Sequence, residues 1–189
     1  TRMRRVPSHG TDIELLERCN SLCRRLCAET PPLSEALAAV STLGSAVPRH
    51  SPKWILLGYG MAPAFFAPLF GGGLADTGCA FLCGLAVGLC LLYGGRFIGA
   101  NAFFRTAVCS ALTAFLALAL VRLGLGRGVD VVTISALMVL VPGVALTNAM
   151  REIMAGDTFS ALSRTADAIL VASAIALGAA AGQALGGLL

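Results

Sequence analysis

The chain has 189 residues, 57% of them hydrophobic and only 13% charged, with a mean hydropathy of +0.82. Soluble domains carry about 25% charged residues, so this composition excludes an ordinary water-soluble enzyme and points to lipid. The net charge of +4 does not mark a nucleic-acid binder, because eight of the 14 Lys and Arg precede Trp54 and no aromatic residues are interleaved with them. Membrane orientation and anionic headgroups account for such a cluster better.

The chain opens on Thr1, and the basic run Arg2 to Arg5 is followed by polar residues from Pro7 to Thr11 where a signal peptide would need its apolar core. A cleavable signal is not expected, and the chain reads as a possible fragment. Asp12 to Glu29 reads as an amphipathic helix capped by Thr11, with Ile13, Leu16, Cys19, Cys23, Leu26 and Cys27 at helical spacing. Cys19, Cys23 and Cys27 at i, i+4 and i+8 offer three thiolates to a soft metal, but they also share an apolar stripe with Leu15, Leu22 and Leu26. The stripe is the better reading, because structural zinc spacings are shorter and loop-borne. No metal and no cofactor are expected. The other four cysteines (Cys79, Cys83, Cys90, Cys109) lie in apolar runs as small hydrophobes, so no disulfide framework is read. Pro31 and Pro32 end the helix, and a second one from Leu33 to Leu43 stops at Gly44. The two read as a short soluble helical hairpin, with a pair lying on the membrane surface as the alternative. Residues 1–52 thus form a cytoplasmic segment, closed by a linker from Val47 to Pro52.

Residues 53–189 read as an all-α, polytopic membrane helical bundle with about five transmembrane helices. The spans fall near residues 54–70, 77–93, 104–121, 131–149 and 166–188, each close to the ~20 residues that cross the hydrocarbon. Trp54 suits an interfacial anchor. Short connections carry turn residues: Gly71-Gly72-Gly73 with Asp76, Gly94-Gly95-Arg96, Gly124 to Asp130, and Arg151 to Arg164, the last as a loop or short amphipathic helix. None can hold a catalytic domain. With the N-terminus inside, Arg96, Arg105, Arg151 and Arg164 join the eight early cations on the cytoplasmic face, and only Arg122 and Arg127 lie opposite. The positive-inside rule therefore puts Leu189 outside. Gly84 with Gly88, and Gly178 with Gly182, have the small-xxx-small spacing of packing faces.

The chemistry concentrates between Val139 and Leu170. Pro142 cannot donate a backbone hydrogen bond and Gly143 follows it, so the fourth span should be kinked or broken near its middle. A break at that depth is tolerated where protein or water satisfies the freed backbone, as at transporter substrate sites, although a plain kink fits equally. Thr147 and Asn148 follow within two turns, suited to a ligand or to a neighbouring helix. Gly156-Asp157-Thr158 resembles a turn and helix start. Asp167 begins the last apolar run three residues after Arg164, where it serves either a structural ion pair or a proton or substrate contact. Pro63 and Pro68 promise a second irregular helix. His9 and His50 flank no metal-like cluster, no phosphate loop or nucleophile elbow is present, and an intramembrane enzyme lacks its histidine or carboxylate pair.

These residues resemble the signature of the threonine/serine exporter family: Leu140-Val141-Pro142-Gly143, Thr147-Asn148-Ala149, Arg151, Gly156-Asp157-Thr158, Ser160, Leu162, Arg164 and Asp167. Ala67-Pro68-Leu69-Phe70-Gly71-Gly72-Gly73 is similar to the family's turn after its first span, and the likeness runs from about Asp12 to Leu189. It implies a secondary exporter of small hydrophilic metabolites, threonine and serine or a dicarboxylate such as succinate, in the cytoplasmic membrane; the broken helices and boundary charges lead to the expectation of proton-driven alternating access. Family members usually have a longer N-terminal region and a second membrane half, and some, including a bacterial succinate exporter, split the halves into two subunits. The resemblance therefore implies a second membrane half or small membrane subunit as partner, besides lipid and a small-molecule substrate; a homo-oligomer is also possible, and nucleic acid is not expected. Asp167 stands where many relatives carry Glu. The candidate substrate-binding or gating residues are Pro142, Gly143, Thr147, Asn148, Arg151, Asp157, Arg164 and Asp167. The competing reading is a membrane scaffold that transports nothing.

Overall fold

The computed structural model describes residues 12–43, 51–94 and 101–188. Thr11, the histidines, the stop at Gly44, most of the linker from Val47, and Gly95-Arg96 lie outside the described residues. The chain divides into two compact units, residues 1–50 and 51–189.

In the first unit α1 spans Ile13–Glu29 and α2 spans Leu33–Leu43. The α1 cap is Asp12, whose carboxylate accepts from the Leu15 N–H at 3.0 Å. Its end is marked by Thr30 in the left-handed region, φ 42°, ahead of the two prolines that cannot continue the helix. The protected side of α1 carries Leu15, Cys19, Leu22 and Leu26, while Ile13, Leu16, Cys23 and Cys27 are exposed. Of the expected stripe, Leu15, Cys19, Leu22 and Leu26 are therefore protected, while Cys23 and Cys27 are not. Arg18, Leu22 and Arg25 line a shallow cleft with Ala39, Thr42 and Leu43 of α2.

The second unit is a helical bundle: α3 Pro52–Leu69, α4 Leu74–Tyr93, α5 Ala102–Arg122, α6 Val129–Leu137, α7 Gly143–Met154 and α8 Thr158–Gly187. By length and composition α4, α5 and α8 can each cross a membrane, and the bent pair α6 and α7 makes a fourth if counted as one span. The 18-residue α3 is not among them, because Lys53, Trp54 and its prolines dilute its apolar content. It is continuous through Pro63 and Pro68, so the second irregular helix expected there is not found. Proline at 63 leaves the Tyr59 carbonyl without its helical donor. That carbonyl lies against Gly84 of α4, where a Cβ would collide with it, so the missing side chain lets the α4 backbone cover the freed oxygen. The α3 end closes on Gly71, φ 83°, with the Gly72 N–H reaching the Ala67 carbonyl at 2.9 Å.

Two tight helix pairs result. α4 lays Gly84 and Gly88 on α3, and α8 lays Gly178, Gly182 and Gly186 on Ala107, Ser110, Ala111 and Leu118 of α5. The Ser110 hydroxyl adds a bond across the second pair to the Ile175 carbonyl at 2.7 Å. α6 packs against α3, α4 and α5, burying Val132, Thr133, Ser135 and Ala136. At the far end of α5 the Arg122 guanidinium donates to the Gly186 carbonyl at 2.8 Å, placing a cation at the C-termini of α5 and α8 together. Arg122→Ala should therefore cost about 1–2 kcal/mol, read as a lower thermal midpoint of the purified protein; Arg122→Lys should recover part of it.

Candidate functional site

The α6–α7 pair breaks where proline demands it. α6 ends at Leu137, Met138–Leu140 tighten into a 3-10 turn, and Val141 is extended at φ −65°, ψ 128°, as the residue before a proline prefers. The Val141 N–H goes to the Met138 carbonyl at 3.3 Å and the Gly143 N–H to the Val141 carbonyl at 2.9 Å, after which Pro142 serves as the cap of α7. The two segments meet at 56°. Of the polar residues beyond the break, Thr147 spends its hydroxyl on the carbonyls of Gly143 and Val144, both at 3.1 Å. Asn148 is half-buried and has no hydrogen-bond partner among the described residues.

Of the loop or short amphipathic helix expected from Arg151 to Arg164, the structure has helix on both sides of a tight turn. Arg151 and Glu152 complete α7, Ala155 to Asp157 make the turn around Gly156 at φ 89°, and α8 starts at Thr158, well before the last apolar run. Asp157 caps α8, its carboxylate accepting from the Ser160 N–H at 3.2 Å. The Arg164 and Asp167 pairing does not form. Arg164 instead reaches back across the turn to Glu152, Nε to Oε1 2.8 Å, and Asp167 is exposed without an ion-pair partner among the described residues. The reason is the geometry of the tight α7–α8 hairpin, which sets Glu152 on the side of α7 that carries the buried Ala149, while Asp167 lies on the open side of α8. Arg151 is likewise exposed. The break and the α7–α8 turn therefore bring Asn148, Glu152 and Arg164 to one helix hairpin, with Asp157 holding the turn.

Three polar features escaped the sequence reading. Glu152 is the first: its Oε2 is buried and has no partner. Thr133 is the second, 4% exposed on α6 with its hydroxyl unpartnered. The third is Asp76, also 4% exposed, whose Oδ1 accepts from the N–H groups of Arg127 (2.6 Å) and Gly128 (3.0 Å) while Oδ2 accepts from Gly73 (3.0 Å). One carboxylate thus joins the α3–α4 turn to the α5–α6 loop. The one signal available was an acid three residues after the Gly71-Gly72-Gly73 run, in a chain with ten acids in all.

Glycine-paired helices, three of them long and apolar enough to cross a membrane and a bent pair besides, are the architecture of a polytopic helical membrane protein. A family model described as "Putative threonine/serine exporter" matches residues 1–186, and the chain belongs to that family. No curated protein and no solved structure matches it.

Proposed function

We propose that this protein is the larger subunit, or the N-terminal half, of a secondary exporter that moves threonine and serine, or a dicarboxylate such as succinate, across the cytoplasmic membrane by proton-driven alternating access. The observation that carries this reading is the 56° break at Pro142-Gly143, followed within two turns by an unpartnered Asn148. In this reading α3 completes five spans, the N-terminal unit with its helical hairpin is cytoplasmic, and the C-terminus is outside. The α6–α7 break forms one wall of the substrate path, with Pro142, Gly143, Thr147 and Asn148 on it. Arg151, Asp157, Arg164 and Asp167 edge the cytoplasmic mouth, Asp167 as proton carrier. A second membrane half, supplied by a smaller subunit, closes the path. The scaffold alternative needs small-residue faces free for partners, yet Gly84, Gly88, Gly178, Gly182 and Gly186 are already occupied by α3 and α5, which favours the exporter.

Export of labelled serine, threonine and succinate from cells making this chain, with and without any small membrane protein found encoded beside it, tests the proposal. Asn148→Ala and Asp167→Asn should each lower export about tenfold or more at normal membrane insertion, as expected when a hydrogen bond to a charged group is lost. Parental rates in both would remove those two assignments, and absence of export of all three solutes would remove the exporter.

A further inference from the structure

Glu152 and Arg164 are half of a complementary pair of charges, each with a valence left over. The Glu152 carboxylate, 22% exposed, spends Oε1 on Arg164 Nε, while Oε2 is buried with no donor among the described residues. A carboxylate oxygen shut away from water without a donor is costly, so such an atom calls for an N–H or O–H that comes from elsewhere. Arg164, 47% exposed, engages Glu152 through Nε alone, and its two Nη atoms make no hydrogen bond among the described residues. The Nη edge of a guanidinium is the fork that takes a second carboxylate in bidentate fashion. Asn148 stands one helical turn before Glu152, on the same face of α7, with its amide unpartnered.

We propose that, in a state of the transport cycle that uncovers Glu152 Oε2, this hairpin is a head-group site for a zwitterionic α-amino acid: the ligand's ammonium on Glu152 Oε2 and the Asn148 carbonyl, its carboxylate on the Nη edge of Arg164. The proposal rests on the exporter reading and decides within it, because a dicarboxylate offers nothing to the orphan oxygen while an amino acid fills both halves. It also gives the ion pair a reason beyond stapling α7 to α8. Serine and threonine satisfy the site through the part they share, which leaves their hydroxyls to be read by other residues.

The test is equilibrium binding of radiolabelled L-serine to the full chain, purified with its neighbouring small subunit where one co-purifies, in competition with serine methyl ester (no carboxylate), N-acetylserine (no ammonium) and succinate. Serine should bind, and each competitor should be weaker by tenfold or more. Glu152→Gln and Arg164→Gln should each weaken serine by at least tenfold. The exchange Glu152→Arg with Arg164→Glu restores an ion pair, so it should recover the thermal midpoint of the single variants without recovering serine binding. Parental serine affinity in Glu152→Gln, recovery of binding by the exchange, or equal competition by N-acetylserine would each overturn the site. If serine is still exported in those cases, the exporter reading stands without it; if the parental protein neither binds nor exports any amino acid, the site falls, and the exporter reading falls with it only when succinate is not exported either.

Discussion

Gly182→Val should lower the thermal midpoint far more than a replacement at Gly187 of the same helix. A Cβ at 182 would run into the Ala111 carbonyl oxygen, with the Ala111 carbonyl carbon at 2.9 Å and its Cα at 3.0 Å. All three are backbone atoms of α5, so no rotamer change relieves the clash and the two helices must separate. Between membrane helices there is no hydrophobic force to compensate; close packing and hydrogen bonds are what hold them. Separation also stretches the bond from the Ser110 hydroxyl to the Ile175 carbonyl. A loss of about 3 kcal/mol or more follows, at the upper end of overpacking costs. Gly187→Ala is the control, since nothing lies within 4 Å of a Cβ there. The comparison is made by thermal unfolding in detergent with limited proteolysis of the α5–α6 loop. A Gly182→Val protein that melts with the parental one would show that α5 and α8 are not in van der Waals contact along this seam.

The sequence made the helices legible because lipid enforces them: apolar runs bounded by glycine turns admit little else. The break was legible too, since proline removes a donor and obstructs the preceding turn wherever it sits in a helix interior. What the sequence did not carry was which carboxylate meets which cation. Spacing of three offered Arg164 to Asp167, but the turn at Gly156 folds α7 back and presents Glu152 first. The pairing is a property of the hairpin, visible only once the start of α8 is known. For the same reason Arg151 to Arg164 read as a loop or a short amphipathic helix: its charges broke the apolar run, yet Asp157 caps a helix that continues into the apolar stretch. Pro63 and Pro68 misled in the opposite direction. A freed carbonyl at Tyr59 needs a neighbour that can approach closely, and Gly84 on the next helix supplies that approach, so α3 remains straight enough to stay one helix. On α1 the expected stripe holds at Leu15, Cys19, Leu22 and Leu26 but not at Cys23 and Cys27, because amphipathic spacing alone does not say which apolar residues a neighbouring helix covers.

Asp76→Ala should open the loop between α5 and α6 while leaving the two glycine-paired helices folded. The carboxylate is the acceptor for three backbone N–H groups, those of Gly73, Arg127 and Gly128, and a Cβ at Gly126 would come within 3.2 Å of its Oδ1, so the loop is closed tightly around it. Alanine removes all three acceptor contacts at once and leaves donors with no side chain to turn to. Each stranded donor costs about 1–3 kcal/mol where water cannot reach it; with part of the loop able to hydrate, the sum is about 3–5 kcal/mol. Asp76→Asn should cost less, about 1–2 kcal/mol, because its remaining oxygen keeps the Arg127 and Gly128 bonds and only the Gly73 donor faces an NH2 group. Glutamate is not expected to rescue, since its extra methylene carries the carboxylate away from the position where the Gly73, Arg127 and Gly128 donors converge. The most direct readout is hydrogen exchange at the Arg127 and Gly128 amides, which should lose protection in Asp76→Ala at temperatures where the amides of α5 and α8 keep theirs. Unchanged protection of those two amides would mean that the loop is held by its own backbone turns, and that the acid after the glycine run does not tie it to the start of α4.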